Sequence, residues 1–436
     1  MVLFLVLVIF AIVFVLGLLL WGSISSLKRR RLLEDLPTSK TAGVFIGLVE
    51  LKGMAETETP LTGYLSGKRC VWYSWDVQEH WSRTVTETYR DSDGKSKTRT
   101  RTENGSTSVA SGGETGLFYL QDDLGVVRID PRKAEIHSQN VFSQTCSPRD
   151  PLYYAKGPAS AIADSTGKRS FTERAILLHQ PLYIVGQSRV RDDCVAAEIA
   201  HDPMAPMFMI STSTEESHRA WGLWKFWFFG LLAVLIPTIA GIVMVQQTND
   251  FRILLGVPSA MGSTMLLIWG TAWFWMVYNS LIGLKNRVKM AMANIDVELK
   301  RRYDLIPQIV RVIEGMQQHE RGAQETLALL RNQSAINTVE NGTGAKGCAN
   351  RLVALTENHP DLKSDELFLS LHRNLTETEQ RIALARNYYN DVIETYNNRR
   401  ERFPEKLIAA VARLYYVAPF AAEGFERASV NVRFAE

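Results

Sequence analysis

Thiols, histidines and carboxylates are the groups that could do chemistry in this chain, and their spacing argues against most of it. The four cysteines, Cys70, Cys146, Cys194 and Cys348, form no CxxC or other close pair. A tetrahedral zinc site or a redox dithiol needs such spacing, so the thiols read as isolated, reduced side chains of a cytosolic domain. His319-Glu320 lacks the second histidine that a zinc hydrolase places one helical turn on. Gly67-Lys68 lacks the upstream glycine and the following Ser or Thr of a phosphate-binding loop. Asp91-Ser92-Asp93-Gly94 begins like a calcium loop but lacks the remaining ligands and the closing glutamate, and reads as a turn. No catalytic, cofactor or metal residue is therefore assigned. The densest polar group is Asp296, Lys300 and Asp304, one helical turn apart, with Arg301 beside them. That spacing suits ion pairs along a helix better than acid–base chemistry. Asn294, Tyr303 and Pro307 lie in the same stretch, and Arg386, Tyr389 and Asn390 recur at helical spacing further on. The expectation is a buried polar seam that joins Asn294 and Asp296 to Arg386, Tyr389 and Asn390 and fixes the register of two helices.

The elements that must position these residues are of three kinds. Val2 to Leu20 is apolar and about as long as a membrane span. No basic residue precedes it and Lys28, Arg29, Arg30 and Arg31 follow it, the reverse of a secretory signal. A second apolar run covers residues 220–245 with Pro237 inside, and a third covers residues 264–283. Between them Arg252 is balanced by Asp250, whereas Lys285, Arg287 and Lys289 follow the third run. The basic clusters should stay in the cytoplasm, which puts the N-terminus and the short 246–263 loop outside. Trp21, Trp221, Trp224, Trp227, Trp273, Trp275 and Tyr278 stand near the ends of the runs. Half-buried indoles at the membrane interface, with Arg29, Arg30 and Arg31 at the headgroups, are the expectation, alongside packing between helices. The first and third runs hold no ionisable residue, and Lys225 lies near an end of the second, so a transport pathway is disfavoured.

Between the first two spans the pattern changes to alternation. Residues 43–51, 68–77 and 181–186 read as strands. Residues 84–90 and 97–102 flank Asp93-Gly94 as a hairpin, and residues 117–120 and 126–130 form a second. The first hairpin puts Lys97, Arg99 and Arg101 on one face and Thr98, Thr100 and Thr102 on the other. It reads as a solvated ribbon whose basic face could also meet anionic lipid or a partner. Residues 104–116, rich in Gly, Ser and Thr, read as a mobile loop, and residues 172–178 as a short helix.

Beyond Tyr278 the period becomes helical. Val288, Met292, Ile295, Leu299, Tyr303, Ile306, Val310 and Ile313 form an apolar stripe, with a kink expected at Pro307. Further helices are expected over residues 324–339, from after Pro360 to about Phe403, and from Glu405 to about Tyr416. The chain thus reads as a multi-domain α+β membrane protein. It comprises a first span (1–22), a basic juxtamembrane linker (23–42), a β-rich cytoplasmic domain (43–215), two further spans joined by the external loop, and an elongated antiparallel helical bundle (284–436).

Two resemblances attach to particular residues. Leu51-Lys52-Gly53-Met54-Ala55, Pro60 to Gly67, Cys70-Val71-Trp72-Tyr73, the Gly116 to Asp130 run and Tyr183-Ile184-Val185-Gly186 resemble the GIDE-type domain. That domain also lies between membrane spans in a mitochondrial ubiquitin ligase, whose activity resides in a RING finger of clustered Cys and His. No such cluster is present in this sequence, so the resemblance implies a sensing or interaction module. Leu284 to Val288, Asn294 to Val297, Leu299 to Pro307, Pro360 to Lys363, Leu375 to Glu379, Arg386, Tyr389-Asn390 and Phe403-Pro404 resemble the LemA family. This implies a bacterial, membrane-anchored helical protein with no established catalysis, although two spans and a β-rich domain are added here.

A formal net charge of +3 on 436 residues gives no case for nucleic acid. The reading is a non-enzymatic bacterial inner-membrane scaffold without a cofactor, whose partners are copies of itself and membrane lipid. The alternative is a sensing or quality-control adaptor whose β-rich domain binds a membrane-protein partner such as a membrane protease.

Overall fold

The computed structural model describes residues 2–90, 96–191, 196–213, 215–245, 251–316 and 366–420. The chain divides into a helical unit, residues 1–37 with 218–436, and a β-rich unit, residues 38–217.

The strands of the β-rich unit are β1 (Thr38–Ser39), β2 (Gly47–Glu56), β3 (Leu61–Thr62), β4 (Arg69–Arg90), β5 (Ser96–Thr115), β6 (Phe118–Gln121), β7 (Val126–Ile129), β8 (Glu135–His137), β9 (Gln139–Cys146), β10 (Ser165–Leu177), β11 (Pro181–Val190), β12 (Ala197–Ala200) and β13 (Met209–Ser211). The first sheet closes on itself: β2 pairs β6, β6 pairs β7, β7 pairs β12, β12 pairs β11 and β11 returns to β2. Closure removes the free edges of these five strands, with β1 and β8 left at the ends of the sheet. It also gathers Leu51, Phe118, Leu120, Ile129, Ile184 and Ile199, all fully buried, into one core. The second sheet runs β5-β4-β10-β9, with β3 continuing the line of β5 along β4.

Two expectations fail in this unit. Residues 172–178 are not a helix: 172–177 lie in β10, paired to β4 on one side and, as far as Ala175, to β9 on the other. Phe171, Glu173 and Ala175 alternate inward along it, a period of two. Nor are residues 104–116 a loop, because 104–115 form the inner part of β5 and only Gly116 lies beyond it. Gly105 pairs with Trp81 and Gly112 with Trp75. A Cβ at Gly105 would come within 2.5 Å of the Trp81 ring, and at Gly112 within 2.9 Å of the Trp75 ring. The indoles lie across the glycines and supply the burial that the glycines lack. The expected hairpin is present, with Lys97, Arg99 and Arg101 opposite Tyr89, Glu87 and Val85; its Asp93-Gly94 turn lies outside the described residues. Pairing with β10 stops at Trp81, so the end of the hairpin is a two-stranded ribbon.

In order along the chain, the helices are α1 (Val2–Glu34), α2 (Pro151–Ala155, a single turn in the β-rich unit), α3 (Glu215–Val245), α4 (Phe251–Met316), α5 (Glu366–Glu401) and α6 (Glu405–Val411). Two of them, α3 and α4, are long and apolar enough to cross a membrane. The segments expected as linker and external loop are mostly helical, since α1 continues to Glu34 and α4 already begins at Phe251. α4 runs unbroken through Pro258 and Pro307 for 66 residues. The expected 324–339 helix lies outside the described residues.

Ser23, fully buried, ties three helices together: its hydroxyl donates to the Phe226 carbonyl at 2.9 Å and accepts from Trp269 Nε1 at 3.1 Å. Phe226 and Trp269 stack with centroids 5.1 Å apart. Gly230 permits this, for a Cβ there would meet the Trp269 ring at 2.5 Å. Further along, α4 and α5 pack antiparallel, Ser280 lying near Arg399 and Glu298 near Arg381. Val277, Leu281, Leu284, Val288 and Ala291 bury against Val392, Ile393 and Tyr396.

Candidate functional site

The most concentrated polar chemistry of the helical unit is a buried knot where α1, α4, α5 and α6 meet. Arg399 of α5 bonds the Asp35 carboxylate through Nη1 and donates from Nε to Glu405 at 2.6 Å. Ser280 of α4 donates to Asp35 at 2.9 Å, and Arg287 donates to the Asp35 main-chain carbonyl at 2.8 Å. Arg31 of α1 reaches Glu405 at 2.8 Å. Burial opposes the charge on Arg399, but Asp35 and Glu405 outweigh it and hold the guanidinium charged. At Arg31 burial and the neighbouring Arg399 outweigh Glu405 and Asp35 and pull the guanidinium below the usual arginine range. A network of this kind fixes helix register, because removing any member strands a buried charge. Beside the knot is a cleft of about 460 Å³, bordered by Arg31, Asp35, Ser280 and Arg287 at one end and by Ile24, Trp275 and Met276 at the other.

The residues expected to form a polar seam are distributed differently. Asp296, Lys300, Arg301, Tyr303 and Asp304 are exposed, while Asn294 and Pro307 are half-buried. The face of α4 that meets α5 carries Ile295, Glu298, Arg302 and Ile306 instead. Glu298 accepts from Arg381 at 2.8 Å, and Arg302 lies 3.7 Å from Glu379. Steps of three and four from Val288 and Ala291 lead to Ile295, Glu298 and Arg302, so the pairing was present in the spacing but hidden by its polar identity. Arg386, Tyr389 and Asn390 do come together, around the chain that follows α6. Asn390 receives the Phe420 N–H at 2.7 Å and donates to the Phe420 carbonyl at 3.3 Å. Arg386 lies 4.9 Å from the Phe420 ring centroid, and Tyr389 meets the ring edge-on. Asn397, not singled out from sequence, makes the same double contact with Val417. Two asparagines seven residues apart thus clamp an extended segment along α5.

Among the interface residues, Trp224, Trp227 and Trp275 are exposed, whereas Trp273 is partly buried against the helical core. Trp221 has no described side chain. Arg30 pairs with Glu34 at 2.6 Å, and Arg31 is buried and pairs with Glu405. Arg29 is exposed.

The β-rich unit holds a buried ion pair that sequence reading missed. Arg169 donates from Nε and Nη2 to Glu79 at 3.2 and 3.1 Å, and to the carbonyls of Tyr153, Pro158 and Ser160. Both side chains are fully buried. Burial opposes the Glu79 charge, but hydrogen bonds from Ser165, Arg169 and Tyr153 outweigh it and hold the carboxyl below its usual range. With every N–H of Arg169 engaged, the pair is a structural bolt and has no free proton to move. Burial pushes the thiols of Cys70 and Cys146 up to about 11, which makes them poor nucleophiles. No group of three or more His, Cys, Asp or Glu able to hold a metal occurs among the described residues.

With this geometry in place, comparison with known families defines the class: a membrane-associated chain that joins two known domain types. Residues 291–434 match the LemA family, and residues 86–242 match the GIDE family, whose description is E3 ubiquitin ligase. Both resemblances drawn from the sequence are met. The GIDE match begins inside β4, so the Leu51 to Tyr73 residues that suggested it lie before the matched part. Among the curated proteins the chain finds no significant match.

Proposed function

We propose that this chain is a non-enzymatic scaffold of the bacterial inner membrane. In this reading it assembles with copies of itself through the face of α4 that α5 leaves uncovered. The supporting observation is α4 itself. Its 66 residues reach roughly 100 Å at about 1.5 Å per residue, from an apolar half into an amphipathic half. On the second half Met290 and Val297 are exposed seven residues apart. A heptad step of apolar side chains on a continuous helix is the pattern by which helices pack laterally, and closed rings are its symmetric outcome. The α1, α3 and α4 spans would place both large units on the cytoplasmic side, with the N-terminus outside. The ligase description does not extend to this chain in our reading, because RING chemistry needs clustered zinc ligands and the four cysteines lie far apart in sequence.

The β4–β5 ribbon favours a second reading, the adaptor. It projects beyond β10 with Lys97, Arg99 and Arg101 along one strand, a handle for an acidic membrane-protein partner such as a membrane protease. The test is the mass of the full-length protein in mild detergent by light scattering. A discrete large assembly that Val297→Glu disperses supports the scaffold. A monomer sinks it, and an acidic protein co-purifying at fixed stoichiometry selects the adaptor.

A further inference from the structure

We propose that the cleft between the last turns of α1 and the middle of α4 binds the phosphate of an anionic phospholipid. The inference rests on the membrane placement above. Arg31 carries it. Its side chain is 10% exposed, its Nη2 is engaged by Glu405, and its Nε and Nη1 meet no acceptor within the protein. A buried guanidinium with idle N–H groups forfeits the hydrogen bonds that water gave it, and an anionic oxygen restores them. The surrounding charge favours such an oxygen. Lys28, Arg31, Arg287 and Arg399 face Asp35, Glu405 and the more distant Glu34, and all three carboxylates are already committed, Glu34 to Arg30. Burial also pulls Arg287 below the usual arginine range, a cost that a bound anion relieves.

The shape of the cleft identifies the anion's source. Its cationic end passes into an apolar end made by Ile24, Trp275 and Met276, and Trp275 is 67% exposed beyond it. Lys28 and Arg31 follow the first apolar run, while Ser280 and Arg287 straddle the end of the third. Both strands of evidence set the cleft at headgroup depth, with its apolar end toward the acyl chains. Basic pockets between helix ends at this depth recognise anionic headgroups, and a zwitterionic lipid brings a cation of its own that this site repels. Free phosphate would use only the cationic end.

The test is native mass spectrometry of the full-length protein in detergent with phosphatidylglycerol, phosphatidylcholine or inorganic phosphate. Wild type is expected to retain phosphatidylglycerol over phosphatidylcholine by roughly tenfold, the scale of one charge-assisted contact. Arg31→Gln should abolish that preference. Lys28→Gln, at the exposed mouth and without a structural partner to lose in the knot, should reduce it severalfold while leaving the thermal midpoint unchanged. Equal retention of both lipids, or a preference that survives both substitutions, overturns the site. Stabilisation by inorganic phosphate equal to that by phosphatidylglycerol overturns the lipid and leaves a phosphate site. Alkaline carbonate washing of membranes separates the two readings. Protein that stays in the pellet without lipid preference refutes the cleft alone, and protein released to the supernatant refutes the membrane placement beneath it.

Discussion

Arg169 and Glu79 illustrate how a single pair can set the behaviour of a domain. Glu79 is on β4 and Arg169 on β10, and the pair is sealed by Tyr153 of α2 and by Ser165. Replacing Arg169 by Met leaves a buried carboxylate without its cation, which costs about 3–5 kcal/mol. Replacing both residues by apolar ones of similar size should restore much of that loss. Hydrogen exchange of β4 and β10 in the full-length protein would check both outcomes. The pH dependence follows from the same contacts. The folded Glu79 carboxyl titrates below its unfolded value of about 4.3. Its stabilisation is therefore complete above that pH and is lost as pH falls through the folded value. Glu79→Gln should lower stability at neutral pH and flatten the acid limb between about pH 4.5 and the folded value; an unchanged acid limb would show that other carboxylates control it. At Arg31 and Arg399 the sequence displayed only charges near helix ends. Which cation meets which carboxylate depends on positions up to 364 residues apart, beyond any local pattern.

At the scale of the element, the β4–β5 hairpin shows where local reading stops. A run of Gly, Ser and Thr is a loop by composition, and 104–116 becomes a strand only because Trp75 and Trp81 cross it from β4. Gly112 is the sharper test of the two glycines. Trp75 is stacked on Tyr64 with centroids 4.5 Å apart, so its ring cannot swing away from an added side chain. Gly112→Val should therefore destabilise the hairpin by about 1–3 kcal/mol despite the strand preference of valine. Ser111→Val, one residue away on the other face, should not. Proteolysis of the ribbon in the intact protein reads the difference, and equal resistance of both variants would remove the indole argument. What was legible follows the same logic. The apolar runs, the two hairpins and the helical tail are periodic over their own length, so the sequence displays them. Residues 172–178 read as a helix because seven residues fit either period, and only pairing on both flanks of β10 decides for strand. The polar seam was half legible. Arg386, Tyr389 and Asn390 do act together, but their partner is Phe420, while Asp296 and its neighbours face outward.

The proposed scaffold depends on which side of the membrane each unit occupies, and in that reading the side is decided before the fold exists. In the folded chain Arg30 and Arg31 are engaged by Glu34 and Glu405. Glu405 is not yet made when α1 inserts, so in the proposed topology Arg31, with Lys28, Arg29 and Arg30, would hold the end of α1 in the cytoplasm. Lys285, Arg287 and Lys289 would do the same after the third apolar run, whereas residues 246–263 offer only Arg252 against Asp250. That connection should face outward. The cysteine inventory suits a direct test. Cys70 and Cys146 are buried with thiols raised to about 11, so they react slowly with maleimides. Replacing Cys194 and Cys348 by Ser should then leave a nearly silent background. Introduced there, Thr248→Cys is expected to react with a membrane-impermeant maleimide in intact spheroplasts. Thr98→Cys, on the exposed ribbon, is expected to react only after lysis. The opposite labelling would invert the topology and carry the β-rich unit to the outer face. The acidic cytoplasmic partner of the adaptor reading would then have no access to Lys97, Arg99 and Arg101. Labelling of both sites before lysis would mean that α3 and α4 do not separate the two units from the connection at all, and the rod of α4 would have to be explained as a core helix instead of a span.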